Sequence, residues 1–153
     1  MDITQEIWIH ADLELVWKAW TKEDRITEWF APAARIEPRS GGAFELFFNP
    51  ADPTVMSTKG CIILSYEAPH KLVFQWKGPD PFATIMNRTE SLTLVQVSLN
   101  PTDSGTHVVL VHTGWGITEE WVQARQWHVQ AWEQMLDSLK SSIESGSGKL
   151  CCQ

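Results

Sequence analysis

Five histidines, His10, His70, His107, His112 and His128, are the side chains best suited to move protons near neutral pH. None stands at metal-ligand spacing from another, and no cysteine pair flanks them, so no metal site is expected. His128 has a telling setting. With Arg125 it interrupts an apolar helical stripe that runs from Trp121 through Trp132, Met135, Leu136, Leu139 and Ile143. On a 3.6-residue period both polar residues face the same way as Trp121 and Trp132. An unpaired buried guanidinium is too costly, so Arg125 needs a partner from the protein or from a ligand. It either snorkels to a cavity rim or orients a ligand carboxylate or hydroxyl. His112, at a strand end beside Thr113-Gly114-Trp115, is a third candidate. Arg125 with Glu45 or His112, deep in a pocket, would make a pair fit for acid–base chemistry.

Other chemistry finds little support. There is no Gly-x-Ser-x-Gly elbow, no P-loop, no Gly-x-Gly-x-x-Gly and no His-Glu-x-x-His. Glu119 and Glu120 stand near a helix start, where the helix dipole explains them. No catalytic residue and no cofactor is therefore named, and the chain reads as a binding protein before an enzyme. The aromatics say more. Nine tryptophans against one tyrosine must be packed somewhere. Phe44, Leu46 and Phe48 share one strand face, Leu72, Phe74 and Trp76 another, and Trp17, Trp20 and Trp29 lie on short helices. Taken singly these are core residues; taken together they could wall an apolar pocket.

The length of 153 residues fits one domain, expected over residues 1–145 with a flexible tail at 146–153. The net charge of −7 and the scattered basic residues argue against nucleic-acid binding. No apolar run reaches the length of a membrane span, and Met1-Asp2-Ile3-Thr4 does not open a signal sequence, so a cytoplasmic location is expected. Of three cysteines, Cys61 reads as a buried hydrophobe, while Cys151 and Cys152 fall in the polar tail.

These side chains need elements to position them. Ile3 to Ile9 alternates as a half-buried strand. Asp12 can cap a helix over Leu13 to Trp20, and Thr21 with Asp24 resembles a capping box for a second helix reaching about Trp29. Strands follow at Phe44 to Phe48, Gly60 to Tyr66 and Leu72 to Trp76, with a loop at Asn49 to Pro53. Leu92 to Leu99 and Thr106 to Thr113 form a hairpin around Pro101-Thr102-Asp103-Ser104-Gly105. Gly78 to Thr89 fits no element. Thr118 to about Glu144, free of Gly and Pro, is one long helix. Its residue Trp127 lies about 140° from the stripe centre. It should point away from a cavity and pack under the Gly78 to Thr89 segment or in a subunit interface. One amphipathic helix and about six to seven strands imply an α+β fold in which a curved antiparallel sheet grips the helix.

The motifs resemble the SRPBCC (START-like) superfamily, and within it the group named after the activator of heat-shock protein 90 ATPase. Val16-Trp17-Lys18-Ala19-Trp20-Thr21 matches its first helix, and Trp29-Phe30-Ala31-Pro32 its corner. Arg39-Ser40-Gly41-Gly42-Ala43-Phe44 matches its turn, and Gly60 with Pro69 to Trp76 its central strands. Trp132, Leu136 and Leu139 match its final helix, with Ala131 where the family usually has Gly. The resemblance implies a helix-grip (START/Bet v-like) fold with an internal hydrophobic cavity. Its members include binding proteins, antibiotic-sequestering proteins, polyketide cyclases and lipid carriers, so a cyclase or hydrolase, or a co-chaperone-like interaction module, are the alternatives to a carrier of a small apolar ligand. The family's eukaryotic co-chaperones carry an additional N-terminal domain that this chain lacks, so a chaperone partnership is doubtful; a homodimer is allowed for. The expected cavity residues are Trp20, Trp29, Phe44, Phe74, Trp76, His112, Trp121, Arg125, His128 and Trp132.

Overall fold

The computed structural model describes residues 1–150. In chain order it comprises β1 (Ile3–Ile9), α1 (Leu13–Thr21), α2 (Glu23–Ile26), β2 (Ala33–Ile36), β3 (Phe44–Phe47), β4 (Ile63–Glu67) and β5 (Lys71–Trp76). After these come α3 (Ala83–Met86), β6 (Thr93–Thr102), β7 (Gly105–Thr113) and α4 (Glu119–Ser145). Five strands form an antiparallel sheet in the order β1-β7-β6-β5-β4, and β2 pairs with β3. A bridge between Ala43 and Ile62 joins the two-stranded ribbon to the main sheet. The fold is α+β, and no helix among the described residues is long and apolar enough to cross a membrane.

Local chemistry explains most of the boundaries. Asp12 caps α1 by accepting from Leu15 N at 2.8 Å. The capping box expected at Thr21 does not form. Thr21 lies inside α1, its hydroxyl donating to Trp17 O at 2.9 Å, so α2 is capped at Lys22 with no side-chain bond and ends at Ile26 rather than near Trp29. β2 has no alternating pattern and was not legible as a strand; pairing with β3 makes it one. Gly60, at φ +92, turns the chain before β4, so the ladder starts at Ile63 instead of Gly60. The β6–β7 hairpin runs further than its Pro-containing turn suggested, with Pro101 opposite Thr106 and Thr102 opposite Gly105. Gly105 is required there, because a Cβ would stand 2.0 Å from Ile9 O.

The unassigned segment after β5 is a compact helical knot. A 3-10 turn at Asp80–Phe82 leads into α3, and another at Thr89–Ser91 leads out. Asn87 clamps it by accepting from Gly78 N at 2.8 Å and donating to Gly78 O at 3.2 Å. Helix α4 starts on the Thr118 side chain and stops at Gly146, a left-handed cap at φ +75. Trp132, Met135, Leu136 and Leu139 are buried, as the stripe required. Beyond the cap, Ser138 accepts from Lys149 N at 2.6 Å and Ser141 donates to Ser147 O at 2.6 Å, so residues 146–150 fold back along α4. Cys151 and Cys152 lie outside the described residues.

α4 also covers the open edge of β1, where unpaired peptide groups would otherwise invite another strand. Gln5 Nε2 donates to Val129 O at 2.8 Å, Lys140 Nζ to Trp8 O at 2.5 Å, and His10 N to Glu144 Oε2 at 2.8 Å.

Candidate functional site

The space between sheet and helix is largely filled by rings. Trp20, Trp29, Phe30, Phe44, Phe74 and Trp132 are fully buried. Trp20 meets Trp29 edge-on at 4.8 Å, and Phe44 stacks on Phe74 at 4.0 Å. The edge-on Trp20–Trp29 contact is an arrangement that aromatic quadrupoles favour. The Trp20 indole N–H is the one fully buried side-chain polar atom without a partner among the described residues. Trp20, Trp29, Phe44 and Phe74, expected at a cavity, are thus the packing beneath one.

Open space remains at one end, where β5, α4, the loop after β3 and the start of the 78–91 segment meet. A narrow cleft, whose empty space comes to about 430 Å³ only when the open solvent at its mouth is counted, is lined by Phe30, Phe48, Met56, Trp76, Trp127, His128, Trp132 and their neighbours. Its walls are almost wholly apolar, because the polar atoms beneath them are already spent. Trp76 Nε1 donates to His128 Nε2 at 3.1 Å, so the His128 proton sits on Nδ1, which donates to Ala124 O at 2.8 Å. Trp132 Nε1 donates to His112 Nδ1 at 3.0 Å, so the His112 proton sits on Nε2, facing Thr93 Oγ1 at 2.8 Å. The two imidazoles meet edge to face with ring centroids 5.4 Å apart. All four ring nitrogens are engaged.

Burial sets the charge state of this ladder. His112 is held well below 6.5 by desolvation, reinforced by the neighbouring His128. His128 is lowered to about 4 by desolvation, against which its bond to Ala124 works. Both are neutral at pH 7. They serve as acceptors that fix two indoles, and neither presents a free nitrogen to the cleft. Cys61 is inert, its thiol pushed up to about 12, chiefly by burial.

The other sequence candidates divide. Trp76, His128 and Trp132 line the cleft, with His112 one layer below. Trp121 is half-buried near the start of α4, edge-on to Trp115 at 6.1 Å. Arg125 is placed elsewhere than expected. Its Nε donates to Met1 O at 3.0 Å and Nη2 to Asp2 O at 3.1 Å, on the β1 side of the helix. Its partner is the protein backbone, because a guanidinium a short rotation away from the stripe centre reaches water and carbonyls at the sheet edge. No pair with Glu45 or His112 exists; Glu45 accepts from Gly60 N at 2.7 Å and faces Arg35.

Among the large side chains of the cleft, Phe30, Met56 and Trp127 were not expected there, and Phe48 was placed only in the wider aromatic set. Trp127 was expected to point away from the cavity. It does pack against Phe82 of the 78–91 segment, at 6.3 Å, but that segment folds back beside the helix, so the same indole walls the mouth and meets His128 at 4.8 Å. The one available signal was the Trp127-His128 adjacency on α4. Nothing local marks Met56.

A sheet curved on a single long helix, with an aromatic interior and a cleft at one end, defines a helix-grip α+β domain. The chain belongs to the family of Activator of Hsp90 ATPase homolog 1-like proteins, which matches residues 10–144. No curated protein sequence matches it. Among solved structures it resembles a protein from Mesorhizobium loti at 21% identity and a TM-score of 0.74, covering 94% of this chain and 97% of that one. A protein from Staphylococcus saprophyticus matches at 16% identity and TM-score 0.76 over 99% and 98% of the two chains. The Aha1 dimer from Colwellia psychrerythraea, a solution structure, matches at 22% and 0.75 over 97% and 99%. At these identities the likeness is one of fold.

Proposed function

We propose that the protein binds a small, uncharged, apolar or aromatic molecule in the cleft between Trp76, Trp127 and Trp132. The observation that supports this reading is the polarity of the walls. The N–H groups of Trp76 and Trp132 and the ring nitrogens of His112 and His128 are bonded within the protein, which leaves mainly ring faces and aliphatic groups for a guest. The enclosed space is small, so a guest enters by displacing side chains at the mouth, and removal of its surface from water supplies about 25 cal/mol per Å² before ordering costs. An ionised group would lose its hydration against walls whose one ammonium, that of Lys77, is already bonded to Lys59 O at 2.6 Å. The ladder holds no free acid or base, so the reading is of a carrier and not of a cyclase or hydrolase. Self-association is part of the proposal, in keeping with the dimeric Colwellia relative, and sedimentation at micromolar concentration tests it.

The experiment is titration with N-phenyl-1-naphthylamine, a neutral apolar dye, followed through dye and tryptophan emission. Saturable binding is expected, weakened by Trp127→Ala, and stronger than that of a carboxylate-bearing analogue. A preference for the carboxylate, or no binding at all, overturns the reading.

A further inference from the structure

Two segments that belong to neither sheet close over the mouth of the cleft: the loop between β3 and β4, and the 78–91 segment. One side chain joins them. Met56 is the only non-glycine residue with positive φ among the described residues, at +50. Such a backbone persists where its surroundings over-determine it. Here the Met56 carbonyl accepts from Phe48 N at 3.0 Å, which ties it to the end of β3. Its thioether reaches the other way and accepts from Asp80 N at 3.3 Å. Asp80 opens a 3-10 turn, so its N–H has no partner within that turn, and the sulfur supplies one. The far bank is seated on α4 by Phe82 against Trp127.

The geometry points to Met56 as a strap across the cleft, whose release from the Asp80 N–H admits and discharges the ligand. This inference rests on the reading of the cleft as a ligand site. The chemistry suits a closure that must reopen. A thioether is a weak acceptor, so the bond is worth less than an amide–carbonyl pair. The unbranched, polarizable chain can swing aside and then pack against an apolar guest. No ion pair locks the two banks together among the described residues.

The bond can be removed from either side. Met56→Leu keeps an apolar side chain and loses the sulfur. Asp80→Pro keeps Met56 and loses the N–H; Pro79 at ψ 166 is already extended, as a residue before proline must be. Stopped-flow mixing of the full chain and each variant with N-phenyl-1-naphthylamine reads the rates. Both variants should associate and dissociate faster, by about two- to threefold, less than the rate equivalent of one ordinary hydrogen bond, and Asp80→Pro, which leaves the Met56 wall in place, should change affinity less than about twofold. Binding by the variants alone would also support the strap, as a closed one. Equal rates in all three proteins overturn the strap and leave the ligand site standing. No binding in any of them overturns both.

Discussion

Two faces of the same helix met the same sequence problem and solved it oppositely. His128 and Arg125 both interrupt the apolar stripe of α4, one turn apart. His128 is buried, bonded on both nitrogens and neutral. Arg125 stays at the β1 edge and spends its charge on two backbone carbonyls. The difference teaches what decides such cases. An imidazole can shed its proton and enter a dry interior as a donor and an acceptor; a guanidinium cannot, and must find oxygen near water. The inner face of the helix is thereby committed to a neutral aromatic ladder. The outer face is committed to sealing an exposed strand with polar and charged side chains.

Several changes test that contrast. Trp132→Ala on the inner face should be the most damaging, costing about 3–5 kcal/mol in urea unfolding, since it opens a cavity and strips His112 of its donor. An effect near zero would mean that the ladder does not hold the helix to the sheet.

Acid should come next. The folded pKa of His128 is depressed from 6.5 to about 4, so the unfolded chain binds the extra proton first. Stability is fully present above pH 6.5 and falls as pH drops from there toward about 4. For His128 alone the loss is about 3 kcal/mol, and His112, depressed for the same reason, adds to it. Urea midpoints measured at pH 7.5 and 4.5 read this directly, and His128→Gln should flatten the slope.

Trp132→Phe removes the donor while keeping a ring. It should cost about 1–3 kcal/mol, the penalty of leaving the buried His112 Nδ1 acceptor unpaired. A neutral result would show that packing alone holds this face. The outer face should respond least. Arg125→Met should cost no more than about 1 kcal/mol, because the lost bonds are solvent-exposed and water can replace them. It should leave dye binding, and the preference for the neutral over the acidic dye, unchanged. A weakened affinity for acidic dyes alone would return Arg125 to the cleft.

The long helix, the opening strand and the central strands were legible because period and end signals agree at those positions: Thr118 starts α4, Gly146 ends it, and the stripe between them has one face. The family was legible in the order of short motifs from Val16 to Leu139. What the sequence could not disclose was which polar groups would meet. Trp76 and His128, or Trp132 and His112, are brought together only when β5, β7 and α4 pack, and that pairing turns would-be functional histidines into structural acceptors. The cleft itself is a product of long-range placement. Met56 and Trp127 come from segments with no shared pattern, and they become opposite walls because the Asn87 clamp folds residues 78–91 back beside the helix. Periodicity is a property of neighbours along the chain, so it fixes which face of an element is apolar. The emptiness left between elements depends on how their volumes add in space, and only the tertiary structure decides that.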